Sequence, residues 1–210
     1  MGDLIIKPEA GGSIKLQNNA GTNALVSDNS GNVTLAGTST LTNAIITAGT
    51  FPAGHVLQVV SYLATANGSQ SIGQTDAVMN GMTKDVTPKG ANSDFLVEAR
   101  WWGEINSPHA FCFNITMGGT RQNAPGNYYW QGLAMGIPGL SANFDSSPER
   151  VQVSTLIENS SSVIGTDITF ALIGSYDSTI TIYNNRCSGN APQAGYEQGT
   201  SELIITEIKG

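Results

Sequence analysis

The chain has 210 residues, enough for one full-sized domain and a smaller appendage. Charged residues make up 12%, about half the share usual in soluble domains, and the formal net charge is −7. Because no Lys or Arg cluster is present, this balance argues against nucleic acid and anionic membranes as partners. We also expect no secretory signal and no membrane insertion, since no apolar run approaches the roughly 20 residues of a membrane helix.

Residues 1–54 are predicted to form a thin, repetitive stalk. Short apolar pairs recur at a spacing of roughly nine or ten residues, and turn-forming residues separate them, as at 18–21 and 28–32. The pairs are Ile14 and Leu16, Leu25 and Val26, Val33 and Leu35, and Ile45 and Ile46. Each pair buries too little area to offset a backbone entropy of roughly 1–2 kcal/mol per residue, so we expect three copies around a common axis. A disordered linker is the alternative, but a linker does not need regularly spaced apolar pairs.

Residues 55–210 show the alternation expected of strands with one buried face. In residues 94–105, Phe95, Val97, Ala99 and Trp101 fall on one face, and the even-numbered residues fall on the other. Similar runs predict further strands at 56–66, 151–157, 166–173, 178–183 and 201–208. Because no helical stretch separates these strands, we predict an all-β head with antiparallel pairing, a sandwich of the jelly-roll type.

The sequence carries no recognisable catalytic or metal-binding motif. His55 and His109 have no carboxylate at a metal-ligand spacing. The carboxylate pairs Asp145 with Glu149 and Glu98 with Glu104 are conceivable for polysaccharide cleavage, but acidic residues are usually solvated surface. We therefore predict no enzymatic activity, no metal and no cofactor.

The two cysteines, Cys112 and Cys187, lie far apart and have no metal-ligand spacing. They either form a disulfide between neighbouring strands or, as their small number favours, remain two buried thiols of a protein made in a reducing cytosol.

A cluster of aromatic residues is the best candidate for ligand binding. Adjacent aromatics in a strand face opposite ways, so at most one of each pair belongs to the core. An exposed ring among amide side chains can stack on a sugar ring whose hydroxyls the amides bind. The predicted ligand-binding residues are Trp102, Asn127, Tyr128, Tyr129, Trp130 and Gln131. The alternative is that these rings fill an interface between copies of the chain.

Several segments resemble bacteriophage fibre proteins, especially those of marine and cyanobacterial phages. Residues 25–37, LVSDNSGNVTLAG, resemble the repeats that lead into such heads, and residues 51–60, FPAGHVLQVV, are similar to the stalk-to-head junction. Residues 86–97, VTPKGANSDFLV, resemble a head motif in which a Thr-Pro turn precedes a long strand. Residues 182–186 and 203–209 are similar to the closing strands, and residues 106–148 lie outside the resemblance.

The resemblance implies a homotrimeric virion fibre, assembled in the host cytoplasm, with jelly-roll heads like those of the complement and tumour-necrosis-factor families. Such heads attach the virion to a host-surface glycan or protein, and the N-terminal stalk contacts other virion proteins. No recognisable virion-anchoring domain precedes the stalk, so a tail-fibre tip, a short side fibre and a capsid fibre remain open. The alternative function is a purely structural decoration or neck fibre with no ligand.

Overall fold

The structure is a computed structural model that describes residues 12–17, 20–21, 23–27, 33–35, 52–105, 111–126, 128, 131–135, 148–158, 160–188 and 198–210. The chain divides into two compact units, residues 1–50 and residues 51–210. All regular elements within the described ranges are β-strands, which confirms the all-β prediction. Accordingly, those ranges contain no helix long and apolar enough to cross a membrane. The predicted pair Ile45 and Ile46 lies outside them.

Three short strands form an antiparallel sheet in the N-terminal unit: β1 (Ile14–Gln17), β2 (Asn23–Ser27) and β3 (Val33–Leu35). The register pairs Leu16 with Leu25, and Leu25 with Leu35, so the predicted apolar pairs lie on neighbouring strands. Gly21, in the turn between β1 and β2, has a φ of 75°, which favours glycine. Leu16 and Val33 are 58% and 60% exposed, so these side chains remain in water within a single chain.

The C-terminal unit contains the remaining strands of the described residues. They are β4 (Val56–Ala64), β5 (Gly68–Ile72), β6 (Ala77–Val86), β7 (Asp94–Ile105), β8 (Cys112–Met117), β9 (Thr120–Arg121), β10 (Ala134–Met135), β11 (Glu149–Ile157), β12 (Ile168–Ser175), β13 (Ile180–Asn184) and β14 (Ser201–Ile208). The strands β7 and β14 have the predicted bounds, and β4, β11, β12 and β13 lie within two residues of theirs. Sequence analysis missed β5, β6, β8, β9 and β10.

Two antiparallel sheets form this unit. The six-stranded sheet has the order β4–β14–β7–β13–β5, and β11 pairs with β7. Because β14 pairs with residues 94–100 of β7 and β13 with residues 103–105, β13 and β14 lie end to end beside β7. The strands β4 and β5 pair with β14 and β13, so they also follow one line. The five-stranded sheet has the order β10–β8–β12–β6, and β9 pairs with β8.

Aromatic side chains pack the two sheets against each other. Phe95 of β7 lies 5.0 Å from Phe170 of β12, and Trp101 of β7 lies 5.5 Å from Phe113 of β8, measured between ring centroids. All four side chains are at most 1% exposed, and each such burial contributes about 1.5–3 kcal/mol. The indole nitrogen of Trp101 donates to Asn184 Oδ1 at 2.7 Å, so its polar atom is satisfied inside the core. The predicted buried face of β7 is thus confirmed.

The C-terminal unit has two distinct ends. At the proximal end, β4 begins and β14 ends, as the pairing of Val56 with Ile208 shows. The turns of residues 87–93 and 158–167 lie there and are joined by hydrogen bonds. At the distal end lie the turn of residues 73–76, the end of β7 and the beginning of β8.

A buried carboxylate organises the proximal end. Glu207, on the inward face of β14, is 0% exposed. Its Oε1 accepts hydrogen bonds from the backbone nitrogens of Lys89 at 2.9 Å and Gly90 at 2.8 Å, and from Ser93 Oγ at 2.7 Å. Its Oε2 accepts one from Gln58 Nε2 at 2.6 Å. Because a buried charge is tolerated only when hydrogen-bonded, this carboxylate fixes the turn of residues 87–93 to the sheet.

Candidate functional site

A largely buried arginine organises the distal end. The Arg121 side chain is 9% exposed, and its Nε donates to Asp76 Oδ2 at 2.7 Å, while a second nitrogen donates to Asp76 Oδ1. This second nitrogen also donates to Ser175 Oγ at 3.4 Å. The two parallel bonds form a bidentate pair, which is stronger and more directional than a single contact. The hydrogen bond to Asp76 is the main cause that raises the pKa of Arg121 above its usual range, so its charge is permanent.

The remaining donor group of Arg121 holds the loop between β9 and β10, residues 122–133, which we name the aromatic loop. One terminal nitrogen donates to the backbone carbonyls of Gly126 at 3.4 Å, Tyr128 at 2.9 Å and Gln131 at 3.0 Å. A planar guanidinium can bind several acceptors at once because its donors point in fixed directions. One cation therefore sets the path of the predicted ligand-binding segment.

Among the described residues of the aromatic loop, Tyr128 faces solvent. The Tyr128 side chain is 63% exposed. Gln131 closes the loop below it, since Gln131 N donates to Tyr128 O at 2.9 Å and Tyr128 N donates to Gln131 Oε1 at 3.3 Å. Gly126 approaches the same amide so closely that a Cβ there would lie 1.9 Å from Gln131 Oε1. The structure thus brings two of the predicted residues, Tyr128 and Gln131, together.

Two asparagines fasten the aromatic loop to the sheets. Asn123 has a φ of 52° and donates from Nδ2 to Thr155 Oγ1 at 2.8 Å and to Leu156 O at 2.6 Å, both on β11. Asn114, which is 0% exposed, donates to Gln131 O at 3.3 Å. Hydrogen bonds to both sheets therefore hold the described residues of this loop.

Trp102 lies in a different place, on the outward face of β7 in the six-stranded sheet. Its backbone nitrogen donates to Ser201 Oγ at 2.9 Å, and Ser201 Oγ donates to Asn185 Oδ1 at 2.6 Å. The indole packs on Gly199, where a Cβ would lie 2.3 Å from the ring. The predicted residues therefore fall on two surfaces, while Asn127, Tyr129 and Trp130 lie outside the described residues.

Further side chains lie beside Trp102. Arg150 of β11 is its cross-strand partner and is exposed. Tyr183 of β13 pairs with Glu104, two residues along β7 from Trp102, so its ring is a diagonal neighbour of the indole. The guanidinium carbon of Arg186 lies 4.9 Å from the centroid of the Tyr183 ring. Aromatic and cationic groups thus meet on this face of the sheet.

Of the two carboxylate pairs considered for polysaccharide cleavage, the structure describes both members of only one, Glu98 with Glu104, and these are too far apart. Glu98 and Glu104 both lie on β7, and six residues of strand separate their Cα atoms by roughly 20 Å, well beyond the roughly 5–9.5 Å of glycosidase pairs. Glu104 is 1% exposed, and its carboxylate accepts from Ser188 N at 2.7 Å. Burial raises the pKa of Glu149, whose suggested partner Asp145 lies outside the described residues.

Neither the cysteines nor the histidines form a recognisable reactive centre in the described part of the chain. Cys112 and Cys187 are both buried and are not joined in a disulfide, which agrees with the buried-thiol interpretation. Burial raises the pKa of Cys112 to about 11. Within the same ranges, no three His, Cys, Asp or Glu side chains are placed to hold a metal ion. His55 is exposed near the proximal end, and His109 lies outside these ranges.

Sequence reasoning missed the residues that position the site. Arg121 and Asp76 are 45 residues apart, so no local pattern links them. One usable signal was the small number of charged residues, 12% of the chain. In such a chain, an arginine beside a segment rich in aromatic residues is a candidate for a structural contact. Tyr183 and Arg186 were identified only as part of a closing strand, although an aromatic and an arginine three residues apart can stack.

Comparison with known proteins does not identify the chain. No protein-family model matches it, and a search of curated proteins finds no match.

Proposed function

We propose that this chain is a homotrimeric bacteriophage fibre protein whose head attaches the virion to a glycan on the host surface. The sequence resemblance motivates the proposal. Three features of the described residues support it: the strand order of the C-terminal unit, the exposed aliphatic side chains of both units, and the aromatic loop at the distal end.

The strand order supports a jelly-roll head. If the lines β4–β5 and β13–β14 each count as one strand, and the two-residue β9 is left aside, eight strands remain. Numbered along the chain, they form sheets in the orders 1–8–3–6 and 2–7–4–5. The neighbours 1 and 8, 2 and 7, 3 and 6, and 4 and 5 are the pairs of one long antiparallel ribbon rolled over itself. Such rolled ribbons are common in viral capsid and lectin domains.

The observation that carries the assembly proposal is the row of exposed aliphatic side chains along β4, at the edge of the six-stranded sheet. Val56, Val59 and Leu63 are 57%, 60% and 57% exposed. Burying one such side chain is worth about 1.5–3 kcal/mol, so contact between copies would stabilise the head. Leu16 and Val33 of the N-terminal unit are also exposed aliphatic side chains that contact with another copy would bury. A symmetric trimer would cover all of these side chains with further copies of the same chain.

The aromatic loop supports attachment at the distal end. Tyr128 is exposed, and its backbone carbonyl is held by Arg121. A ring carried on a preorganised backbone loses less conformational entropy when it stacks on a sugar. The chain enters the head at the proximal end, so the distal end is the natural place for a fibre to meet its receptor.

Solution mass tests the assembly. Light scattering on the full chain should give close to three times the chain mass of 21.9 kDa. The double variant Val59→Ser and Leu63→Ser should lower the trimer fraction, because serine removes the apolar area that contact would bury. Val163→Ser is the matched control, since Val163 is also 60% exposed but lies in the turn of residues 158–167. A monomeric wild-type chain would refute the trimer.

A glycan array tests attachment. The wild-type trimer should bind at least one class of glycan, and Tyr128→Ala should weaken that binding while the solution mass stays unchanged. A trimer that binds no glycan on the array would favour the structural decoration protein instead.

A further inference from the structure

Four side chains form a compact group on the outward face of the six-stranded sheet, toward its distal end, which we name the arginine patch: Trp102, Arg150, Tyr183 and Arg186. Arg150 lies directly opposite Trp102 on the neighbouring strand, so their Cβ atoms are within about 5.5 Å. Tyr183 lies across β7 from Glu104 and diagonal to Trp102. Arg186 stacks on Tyr183. The patch therefore offers two aromatic rings and two cations within the width of three strands.

The two cations of the patch lack acidic partners in the part of the chain that the structure describes. Of the four arginines in the sequence, Arg100 pairs with Glu202 at 2.9 Å and Arg121 pairs with Asp76. For Arg150 and Arg186, no carboxylate of the described residues lies within 4.0 Å. A chain with a net charge of −7 has more carboxylates than cations, so two arginines on one face of a sheet without an acidic partner are unusual.

The nearby carboxylates are already engaged or face elsewhere. Glu104 lies between Trp102 and the loop after β13, but its two oxygens accept from Ser188 N at 2.7 Å and Ser188 Oγ at 3.0 Å. Glu149 precedes Arg150 on β11, so alternation directs it to the opposite face of the strand. Neither carboxylate therefore forms an ion pair within 4.0 Å with Arg150 or Arg186.

The contact between Arg186 and Tyr183 does not require the N–H donors of the guanidinium. Its guanidinium carbon lies 4.9 Å from the Tyr183 ring centroid, as in a cation–π contact. Such stacking restrains the side chain but uses only the face of the guanidinium. Its N–H groups lie in the plane and can still form a bidentate pair with a carboxylate. An arginine held in this way loses less conformational entropy when an anion binds.

We propose that the arginine patch is a subsite for an acidic sugar, in which the carboxylate binds Arg150 and Arg186 and the pyranose ring stacks on Trp102 or Tyr183. This inference rests on the proposed glycan-binding function of the head and names the ligand class. Rings and cations side by side match the two halves of a uronic or sialic acid: an apolar ring face and a carboxylate. A nucleic acid fits less well, because its phosphate backbone needs many cations and is repelled by the net charge of the chain.

Saturation-transfer NMR on the full-length chain tests the subsite with defined probes. The acidic probes are D-glucuronate, D-galacturonate and N-acetylneuraminate, the neutral probes are D-glucose and D-galactose, and acetate is an anion without a ring. We expect at least one acidic sugar to bind more tightly than every neutral sugar and than acetate. The double variant Arg150→Gln and Arg186→Gln should weaken this binding roughly tenfold or more, because it removes charge-assisted hydrogen bonds.

The control is the double variant Lys89→Gln and Lys209→Gln, which removes the same two positive charges from the proximal end. It should leave binding of the acidic sugar within about twofold of wild type, since distant surface charges are screened. Equal loss in this control would reduce the effect to net charge and overturn the subsite. Arg150 is exposed and Arg186 is half-buried, so we expect their substitutions to be tolerated by the fold. Thermal unfolding should confirm that the variants fold.

The remaining outcomes separate the subsite from the fibre proposal. Equal binding of neutral and acidic sugars, or of acetate and acidic sugars, would overturn the subsite and leave the glycan-binding head intact. If no probe binds while the array shows binding to neutral glycans, the subsite is again wrong and the head proposal stands. A chain that is monomeric and binds nothing on the array would instead overturn the proposed function itself.

Discussion

At each end of the C-terminal unit, a buried charged side chain binds the backbone of an irregular segment, and the two charges have opposite signs. At the proximal end, the carboxylate of Glu207 gathers backbone N–H donors from the turn of residues 87–93. At the distal end, the guanidinium of Arg121 gathers backbone carbonyls from the aromatic loop. A buried charge serves as a template for irregular backbone, because it satisfies several polar groups that have no partner in a sheet.

The two ends differ in the solvent exposure of the segment that each charged side chain holds. Around Glu207, the hydrogen-bonding groups of the turn face inward, and the carboxylate is 0% exposed. Around Arg121, the loop is fastened from below while Tyr128 remains 63% exposed. The proximal template thus stabilises the fold, whereas the distal template also holds a loop with an exposed tyrosine, for which we propose contact with a ligand. Substitutions at the two templates should separate these roles.

The largest expected effect is on the proximal template. Glu207→Ala should lower the free energy of unfolding by about 3–5 kcal/mol, because it leaves the buried donors of Lys89, Gly90 and Ser93 without an acceptor. Chemical denaturation measures the loss. Glu202→Ala is the control on the same strand, since its ion pair with Arg100 is partly exposed and worth at most about 1 kcal/mol. Equal losses in the two variants would refute the role of Glu207.

The next largest effect is on the distal template. Arg121→Ala should cost about 2–3 kcal/mol, because Asp76 and three loop carbonyls lose a charged partner. Arg121→Lys should recover only part of this, since an ammonium cannot reproduce the planar, bidentate contact. The more specific result is local: limited proteolysis should cut the aromatic loop faster than in wild type.

The thiol of Cys112 supplies an independent readout of the same change. Its pKa of about 11 leaves roughly one thiolate in a thousand at pH 8, so native alkylation should be slow. Gly132 of the aromatic loop packs against Cys112, since a Cβ at residue 132 would lie 3.0 Å from Cys112 Cβ. Burial raises the pKa of Cys112 and the charge of Arg121 lowers it, so loss of that charge alone would slow alkylation. Arg121→Ala should nevertheless accelerate alkylation of Cys112, because release of the aromatic loop lets water and reagent reach the thiol. Mass spectrometry in the absence of denaturant measures the rate. Acceleration of the same size in Glu207→Ala would mean that alkylation follows global stability and not release of the loop.

The third effect compares two asparagines with nearly the same backbone. Asn92 in the proximal turn and Asn123 in the aromatic loop have φ values of 51° and 52°. Glycine accepts this conformation at either position. Asn92→Gly should change stability by only a few tenths of a kcal/mol, whereas Asn123→Gly should cost about 1–2 kcal/mol because its side chain holds Thr155 and Leu156. Chemical denaturation of both variants measures the difference, and equal losses of stability would refute the role of the Asn123 side chain.

Most strands that sequence analysis found, such as β7, β11 and β14, have two faces that differ, although β12 was also found and is buried on both faces along most of its length. The strand β7 alternates between buried and half-buried residues along its first half, so its period was visible. The strand β8 is buried on both faces from Cys112 to Asn114 and beyond, which removes the alternation. In β6 the buried residues Met79 and Met82 are three apart, and Gly81 between them has a φ of 74°, so a local irregularity breaks the period.

The candidate site was predictable in composition but not in assembly. Clustered aromatics and amides in the sequence predicted Tyr128 and Gln131, and the structure shows Tyr128 exposed and hydrogen-bonded to Gln131. The sequence placed Trp102 in the same group, yet its strand belongs to the other sheet. Pairing between sheets depends on contacts across the chain, such as Asp76 with Arg121, and a single sequence without relatives carries no local signal for these.

The smallest expected effect is on the pH dependence of stability, through Glu149. Glu149 begins β11 at the distal end, and burial raises its pKa, in contrast to a carboxylate that is stabilised by donors. A folded-state pKa above the unfolded value of about 4.3 means that the folded protein holds the proton longer. Stability therefore falls as pH rises through the interval between the two values, and is constant above it. Glu149→Gln cannot titrate, so its stability relative to wild type should increase between pH 4 and pH 7, by less than about 1 kcal/mol because the group is only partly buried. Denaturation at the two pH values measures this difference, and a relative stability that decreases over the same range would mean that the Glu149 carboxylate is stabilised, not penalised, by its surroundings.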